Sequence, residues 1–216
     1  MTESSPTVFL IDDDSALLDA LARLLRSFDL NVAAFVSPQK FLDQFNPGLS
    51  GCLVLDVSMP NLNGLELQQE LADRGNELPV IFLTGRGDIP MSVQAMKQGA
   101  VDFLTKPVKA QDLIEAIQAA VEKDRRNHRT LAELAEFGER LATLTPRERE
   151  VLEHVISGRL NKQIAADLGT VEKTIKVHRA HLMTKLKVRT LADLVRMTER
   201  AGIKCKTLDF TGGFQH

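Results

Sequence analysis

Cysteine is nearly absent from this 216-residue chain. The two present, Cys52 and Cys205, have no metal-ligand spacing, which excludes a disulfide framework and leaves both read as reduced and structural. Long apolar runs are missing as well. The longest, Val32 to Val36, falls far short of the ~20 residues needed to cross a bilayer. The opening MTESSPT also lacks a basic, apolar signal pattern, so no membrane partner and a cytoplasmic location are expected. Neither glycine (13) nor proline (8) is in excess, which excludes collagen-like and low-complexity chains. What remains, 44% hydrophobic and 26% charged residues, is the composition of an ordinary globular protein. At roughly 100–200 residues per domain the length suits two domains, each with a modest core.

The net charge of −2 conceals a division. Residues 1–122 hold 8 Lys/Arg against 17 Asp/Glu, net −9, and residues 123–216 hold 19 against 12, net +7. A positive module attracts polyanions such as nucleic acid, whereas clustered carboxylates suit a divalent cation. The rival reading of the same division is chance surface composition.

In the acidic half, five short apolar runs alternate with helical patterns: Val8 to Ile11, Val32 to Phe35, Cys52 to Leu55, Val80 to Leu83 and Val101 to Leu104. Between them, apolar residues recur at helical spacing, as in Leu17, Leu18, Leu21, Leu24, Leu25 and in Leu65, Leu67, Leu71. The pattern predicts four intervening helices and a fifth after Val108. Such alternation implies an α/β fold, a parallel sheet doubly wound by helices, with functional groups beyond the C-terminal strand ends. The distinctive polar residues fall there: Asp12, Asp13 and Asp14 after the first run, Asp56 after the third, Thr84 after the fourth and Lys106 beyond the fifth.

Carboxylates crowded at one sheet edge raise each other's pKa unless a bound cation offsets their charge, and Mg²⁺, or Mn²⁺, is the natural oxygen-ligated candidate. An Asp beside such a cation, a lysine and a hydroxyl has the parts phosphoryl transfer demands, a carboxylate nucleophile and donors for the phosphoryl oxygens. Asp56 is therefore read as a phosphorylation site. Taken alone, Asp12 to Asp14 also read as an N-cap cluster for a helix starting near Ser15. Specificity lies in the combination.

Through IDDD (11–14), LDVSMPNLNG (55–64), LTGRGD (83–88) and FLTKP (103–107), the first half resembles the receiver domain of two-component response regulators. The resemblance implies a flavodoxin-like fold in which Asp56 accepts phosphate from a sensor histidine kinase. It implies that Asp13 and Asp56 bind Mg²⁺ directly, Asp12 through water and Ser58 through its carbonyl. Thr84 and Lys106 match residues that contact the phosphoryl group, Phe103 matches an aromatic switch, and Lys106-Pro107 matches a cis peptide bond. Taken without the family, Phe103 reads as core.

The second half predicts a small all-α module. Residues 109–143 read as a helical connector, with the boundary placed at the charged run Lys123 to Arg129, taken as solvated helix surface. From Leu144, Thr145, Pro146 and Glu148 form a helix start that runs to Gly158. A short helix from Asn161 to Leu168, a turn at Gly169 and a longer helix from Glu172 to Leu186 suggest helix-turn-helix. That last helix carries Lys173, Lys176, Arg179 and Lys185, followed by Lys187 and Arg189, with no acidic residue from 173 to 189. Basic side chains on a helix can neutralise phosphates, and its exposed N-terminal face can reach base edges in a major groove.

LTPREREVL (144–152), NKQIAADL (161–168) and TIKVHRAHLMTKL (174–186) resemble the LuxR-type DNA-binding domain of the NarL and FixJ regulators. The resemblance implies that Lys176, Val177 and Ala180 lie at the bases, that Lys162, Lys173 and Arg179 lie near phosphates, that Thr174 belongs to the same DNA-binding set, and that the helix from Thr190 to Arg200 pairs two subunits. Val171 stands where the family commonly has a Ser or Thr cap, and Thr170 is expected to cap the helix one residue earlier. At Ala180 a methyl contact with thymine replaces a longer polar side chain.

The division expected is 1–122 receiver, 123–143 helical linker, 144–204 DNA-binding domain and 205–216 tail. The two halves together resemble a FixJ-type regulator that dimerises on phosphorylation and binds promoter DNA, with RNA polymerase as a further partner. Such a protein is no enzyme beyond weak self-phosphorylation and self-dephosphorylation. Two rivals stand beside it. One is a DNA-binding dimer that needs no phosphorylation. The other is a haloacid dehalogenase type phosphatase, whose D-x-D-x-T/V motif is not met here, since Asp12 and Asp14 are followed by Ala16.

Overall fold

The computed structural model describes residues 5–46, 48–75, 78–85 and 95–203. The chain divides into two compact units, one ending at Arg129 and one beginning at Thr130.

In the first unit the elements run β1 (Thr7–Ile11), α1 (Ser15–Arg26), β2 (Asn31–Phe35), α2 (Pro38–Leu42), β3 (Gly51–Asp56), α3 (Gly64–Asp73), β4 (Val80–Thr84), β5 (Asp102–Thr105) and the start of α4 (Ala110–Ala142). The five strands pair in parallel, as the alternating pattern predicts, and their order is β2-β1-β3-β4-β5. Of the helix expected between β4 and β5, residues 95–97 are helical and 86–94 lie outside the described residues.

Strand side chains alternate between two cores, because successive residues of a strand point to opposite faces. Val8, Leu10, Cys52, Val54, Ile81 and Leu83 face Leu18, Leu21 and Leu25 of α1 and Leu113 and Ile117 of α4. Phe9, Ile11, Leu53, Leu55 and Phe82 face Phe41 of α2 and Leu67 and Leu71 of α3. Both faces of β3 are covered and all six of its residues are buried. That explains its unbroken apolar run, and burial pushes the Cys52 thiol up to about 12, Asp124 adding to the effect. Asp14 caps α1, its carboxylate accepting from the N–H groups of Ala16 and Leu17.

The connector is one unbroken helix of 33 residues. The reading of Lys123 to Arg129 as wholly solvated surface is corrected at Asp124, which is 1% exposed and hydrogen-bonded to Ser50 and Gly51. A helical pattern marks apolar residues as inward and has no means of flagging a carboxylate whose partners lie elsewhere in the chain.

The second unit holds the end of α4, then α5 (Pro146–Ile156), α6 (Asn161–Asp167), α7 (Glu172–Lys185) and α8 (Leu191–Arg200). Its core gathers Phe137, Val151, Leu152, Ile164, Ile175, Leu182, Leu186 and Leu194. Thr145 and Glu148 form the expected capping box at the start of α5. Glu148 does more than cap: Lys185 Nζ of α7 lies 2.6 Å from its Oε2. Val171 occupies the N-cap position of α7 without a side-chain hydrogen bond, which corrects the expectation for Thr170. Thr170 belongs to the preceding turn, its N–H donating to the Ala165 carbonyl at 2.9 Å, and the φ of Gly169 is +61° there.

The Lys185 ammonium and the Thr145 donors hold the Glu148 carboxyl down at about 2. A depressed folded-state pKa contributes stability that is present above the ordinary value of 4.5 and lost as pH falls toward about 2. Glu148→Gln is expected to lower the melting temperature of the second unit by a few degrees at pH 7. In thermal melts followed by circular dichroism, the gap to wild type narrows as pH falls through that window. An unchanged gap contradicts the assignment.

Candidate functional site

The strand order reverses direction between β1 and β3, and the C-terminal ends of neighbouring strands open a crevice at such a point. Asp12 follows β1 and Asp56 ends β3, so register sets the two carboxylates side by side. Both are buried, at 2% and 4% exposure, while Asp13 is exposed. Oxygen atoms of Asp12, Asp13 and Asp56 all lie within 4.8 Å of one another.

Lys106 enters this group from beyond β5. Its Nζ lies 2.6 Å from Asp12 Oδ2 and 2.8 Å from Asp56 Oδ1. Its backbone N–H donates to the Thr84 carbonyl at 2.6 Å, which ties the end of β4 to the lysine. Lys106-Pro107 is a cis peptide, as the resemblance implies. The remaining oxygens are satisfied locally: Asp12 Oδ1 accepts from the Asp14 N–H at 2.9 Å, and Asp56 Oδ2 from the Ser58 N–H at 3.2 Å.

Burial pushes the Asp12 carboxyl above its ordinary range, outweighing the hydrogen bonds from Lys106 and Asp14 that pull it down. Burial also acts to lower Lys106, but the hydrogen bonds and charges of Asp12 and Asp56 prevail and hold its pKa raised. The ammonium is therefore firmly charged. One lysine set against three carboxylates leaves room for further positive charge, and an all-oxygen donor set at this separation fits a small hard divalent cation.

Thr84 is buried at the end of β4. Phe103, on β5, is half-buried against the second core, its ring 6.2 Å from that of Phe82 at 48°. Gly64 opens α3 against the end of β3, where a Cβ would lie 2.5 Å from the Asp56 carbonyl oxygen, so the close approach of helix to strand end requires glycine.

In the second unit, α7 presents two faces. Ile175 and Leu182 are buried in the core. At about 100° per residue, Lys173, Lys176, Val177 and Ala180 fall on the opposite side, and all four are exposed. Lys176 lies 3.0 Å from Glu172. Thr174 and Arg179 flank the stripe half-buried, and Arg179 Nη1 donates to Asn161 Oδ1 of α6 at 2.8 Å. Lys162 is exposed on α6. Lys185, counted among the basic residues of this helix, is instead drawn to Glu148. Two large apolar side chains near this helix are unusually open, Val171 at 65% and Val177 at 46% exposure. Sequence patterning did not find Asp124 or the Glu148–Lys185 pair, because both join residues distant in the chain. The tail beyond residue 203 lies outside the described residues.

No helix among the described residues is long and apolar enough to cross a membrane. Residues 8–118 match the family model of the response regulator receiver domain, and residues 142–198 match that of bacterial regulatory proteins of the luxR family. Nodulation protein W of Bradyrhizobium diazoefficiens is 46% identical over 204 residues, spanning 94% of this chain and 90% of the relative. Transcriptional regulatory protein FixJ of Azorhizobium caulinodans is 46% identical over 203 residues, spanning 94% and 96%. Among solved structures, response regulator StyR superposes with a TM-score of 0.75 at 42% identity, covering 91% of this chain and all (100%) of that one. Full-length FixJ from B. japonicum superposes at 0.56 with 40% identity, covering 93% and 100%. With a receiver domain followed by a luxR-type helix-turn-helix domain, and relatives matched over nearly their whole length, the chain belongs to the NarL/FixJ family of response regulators and is a phosphorylation-activated transcription regulator.

Proposed function

We propose that Asp56 is the phosphoacceptor, and the observation that carries this reading is the Lys106 ammonium set between Asp56 and Asp12 at the end of a buried strand. A carboxylate oxygen of Asp56 attacks the phosphorus of a phosphohistidine on a sensor histidine kinase. The P–O bond to Asp56 forms and the P–N bond breaks; the departing nitrogen keeps the electron pair, so a phosphoimidazole protonated on its other nitrogen leaves as a neutral ring. Lys106 donates to an equatorial phosphoryl oxygen and the Thr84 hydroxyl to another, so charge is stabilised where it develops. Asp13 and Asp56, with the Ser58 carbonyl, would hold Mg²⁺ or Mn²⁺ directly, and Asp12 would hold it through water. Bound there, the cation offsets the charge of the incoming phosphoryl group.

Thr84 moves toward the phosphoryl group and Phe103 turns inward into the space it leaves, which reshapes the surface around β5. Moving such an equilibrium from 1:99 to 99:1 takes about 5.5 kcal/mol, shared between the phosphoryl contacts and a new dimer interface. Dimerisation then presents two α7 helices to promoter DNA, where RNA polymerase is recruited. Lys176, Val177 and Ala180 face the bases, Lys162, Lys173 and Arg179 contact phosphates, and Thr174 joins them in the DNA-binding set. The working division is 1–122 receiver, 123–143 linker, 144–204 DNA-binding domain and 205–216 tail.

Incubation with acetyl phosphate and Mg²⁺ is expected to add one phosphoryl group by mass spectrometry, absent in Asp56→Asn, with light scattering reporting a doubled mass for the wild type. Uptake by Asp56→Asn overturns the assignment, and an unchanged mass on full phosphorylation overturns the dimer. Lys106→Met leaves the carboxylates without their internal cation. Its melting temperature at pH 7 is expected to fall without divalent cation and to rise more steeply than that of the wild type on adding MgCl₂. Lys176→Ala is expected to weaken binding to a selected duplex by about 1–3 kcal/mol and to relax sequence preference, measured by fluorescence anisotropy.

A further inference from the structure

Two consecutive residues that phosphoryl transfer does not use hold the connector helix to the first unit. Asp124 Oδ2 accepts from the Ser50 hydroxyl at 2.8 Å and from the Gly51 N–H at 2.9 Å. Its Oδ1 is buried without a hydrogen bond, with His128 Nδ1 3.3 Å away. Beside it, Lys123 Nζ donates to the Gly99 carbonyl at 3.3 Å.

The residues gripped in this way stand at the beginnings of strands whose far ends carry the site. Ser50 and Gly51 open β3, which finishes at Asp56, and Gly99 leads into β5, which is followed by Lys106. At about 3.3 Å per residue the two ends of β3 stand roughly 17 Å apart. The start of β3 lies hard against β1: Gly51 pairs with Thr7, and at its φ of +137° a Cβ would lie 1.8 Å from the Thr7 carbonyl oxygen, so only glycine fits. Along α4, Asp124 is followed by no buried residue until Phe137, so it is the last firm hold the first unit has on the helix. That hold is polar where an apolar residue would bury more surface. A buried carboxylate of this kind contributes little net stability, and its two accepted hydrogen bonds tie α4 to the start of β3.

We propose that Lys123 and Asp124 form a clasp through which movement of β3 and β5 at the phosphoacceptor site reaches the connector helix, with Asp124 a positioning residue for phosphorylation-dependent DNA binding. The inference rests on Asp56 as phosphoacceptor. Coupling between separated sites is carried by packed, hydrogen-bonded elements of this kind.

The test uses full-length wild type, Asp124→Ala, Asp124→Asn, Ser50→Ala, Lys123→Ala and the Ser50→Ala/Asp124→Ala double variant. Each is measured for amide hydrogen exchange over residues 118–129, phosphoryl uptake from acetyl phosphate, and affinity with and without that donor for a duplex selected by the phosphorylated wild type. Asp124→Ala and Ser50→Ala are each expected to speed exchange in that segment and to cut the phosphorylation-dependent gain in affinity at least fivefold. Phosphoryl uptake stays as in wild type. The double variant loses no more than the stronger single one, and Asp124→Asn, which keeps an acceptor oxygen, recovers most of the gain. A gain within twofold of wild type in Asp124→Ala overturns the proposal, as does unchanged exchange. Where Asp124→Ala fails to fold, Ser50→Ala and Lys123→Ala decide by the same readouts. Absence of uptake in the wild type rejects the phosphoacceptor reading instead, and exchange, measured without donor, still decides the clasp.

Discussion

Lys106 Nζ stands 2.6 Å from one buried carboxylate and 2.8 Å from another, and each of the three groups arrives from a different strand end. Two buried carboxylates cannot both stay ionised at close range without a positive partner, and the chain delivers the lysine to that point. Parallel pairing in register puts Asp12 and Asp56 side by side. The bond from the Lys106 N–H to the Thr84 carbonyl fixes the loop after β5 against the end of β4. The glycine at 64 lets α3 begin hard against the Asp56 backbone. The apolar layers on both faces of the sheet support these strand ends and bring the charge cluster together.

The second unit solves a different electrostatic problem. A helix meant for a polyanion must keep its basic side chains free, yet some charge has to fasten the helix to its neighbours. On α7 these duties fall to different faces: Lys173 and Lys176 lie outward, while Lys185 is taken up by Glu148, whose carboxyl is already part of a capping box. Arg179 stands between the two duties, half-buried and oriented by Asn161. Orientation of this sort reduces the side-chain entropy lost when a guanidinium meets a phosphate.

Much of this was legible in the residues. Alternating four-residue apolar runs gave the five strands to within a residue or two, most sharply for β1, β3 and β4, whose near-complete burial leaves no polar position to blur their limits. Thr145, Pro146 and Glu148 marked the start of α5 because capping chemistry is local. Asp12, Asp13, Asp56 and Lys106 were legible as a set, each just beyond a strand end. What stayed hidden was non-local. Asp124 looks like one more charge in KDRRNHR until Ser50 and Gly51, more than seventy positions earlier, are brought to it. Val171 shows the reverse failure: Thr170 is a good capping residue by type, but Gly169 and the bond to Ala165 commit it to the turn.

The central claim is that phosphoryl transfer ends on Asp56 and on no other member of the carboxylate cluster. Borohydride reduction of the chain after treatment with acetyl phosphate and Mg²⁺ converts an aspartyl phosphate to homoserine, which peptide mass spectrometry locates without any substitution. The account predicts homoserine at position 56. Homoserine at position 12 or 13, or none after measured phosphoryl uptake, contradicts it.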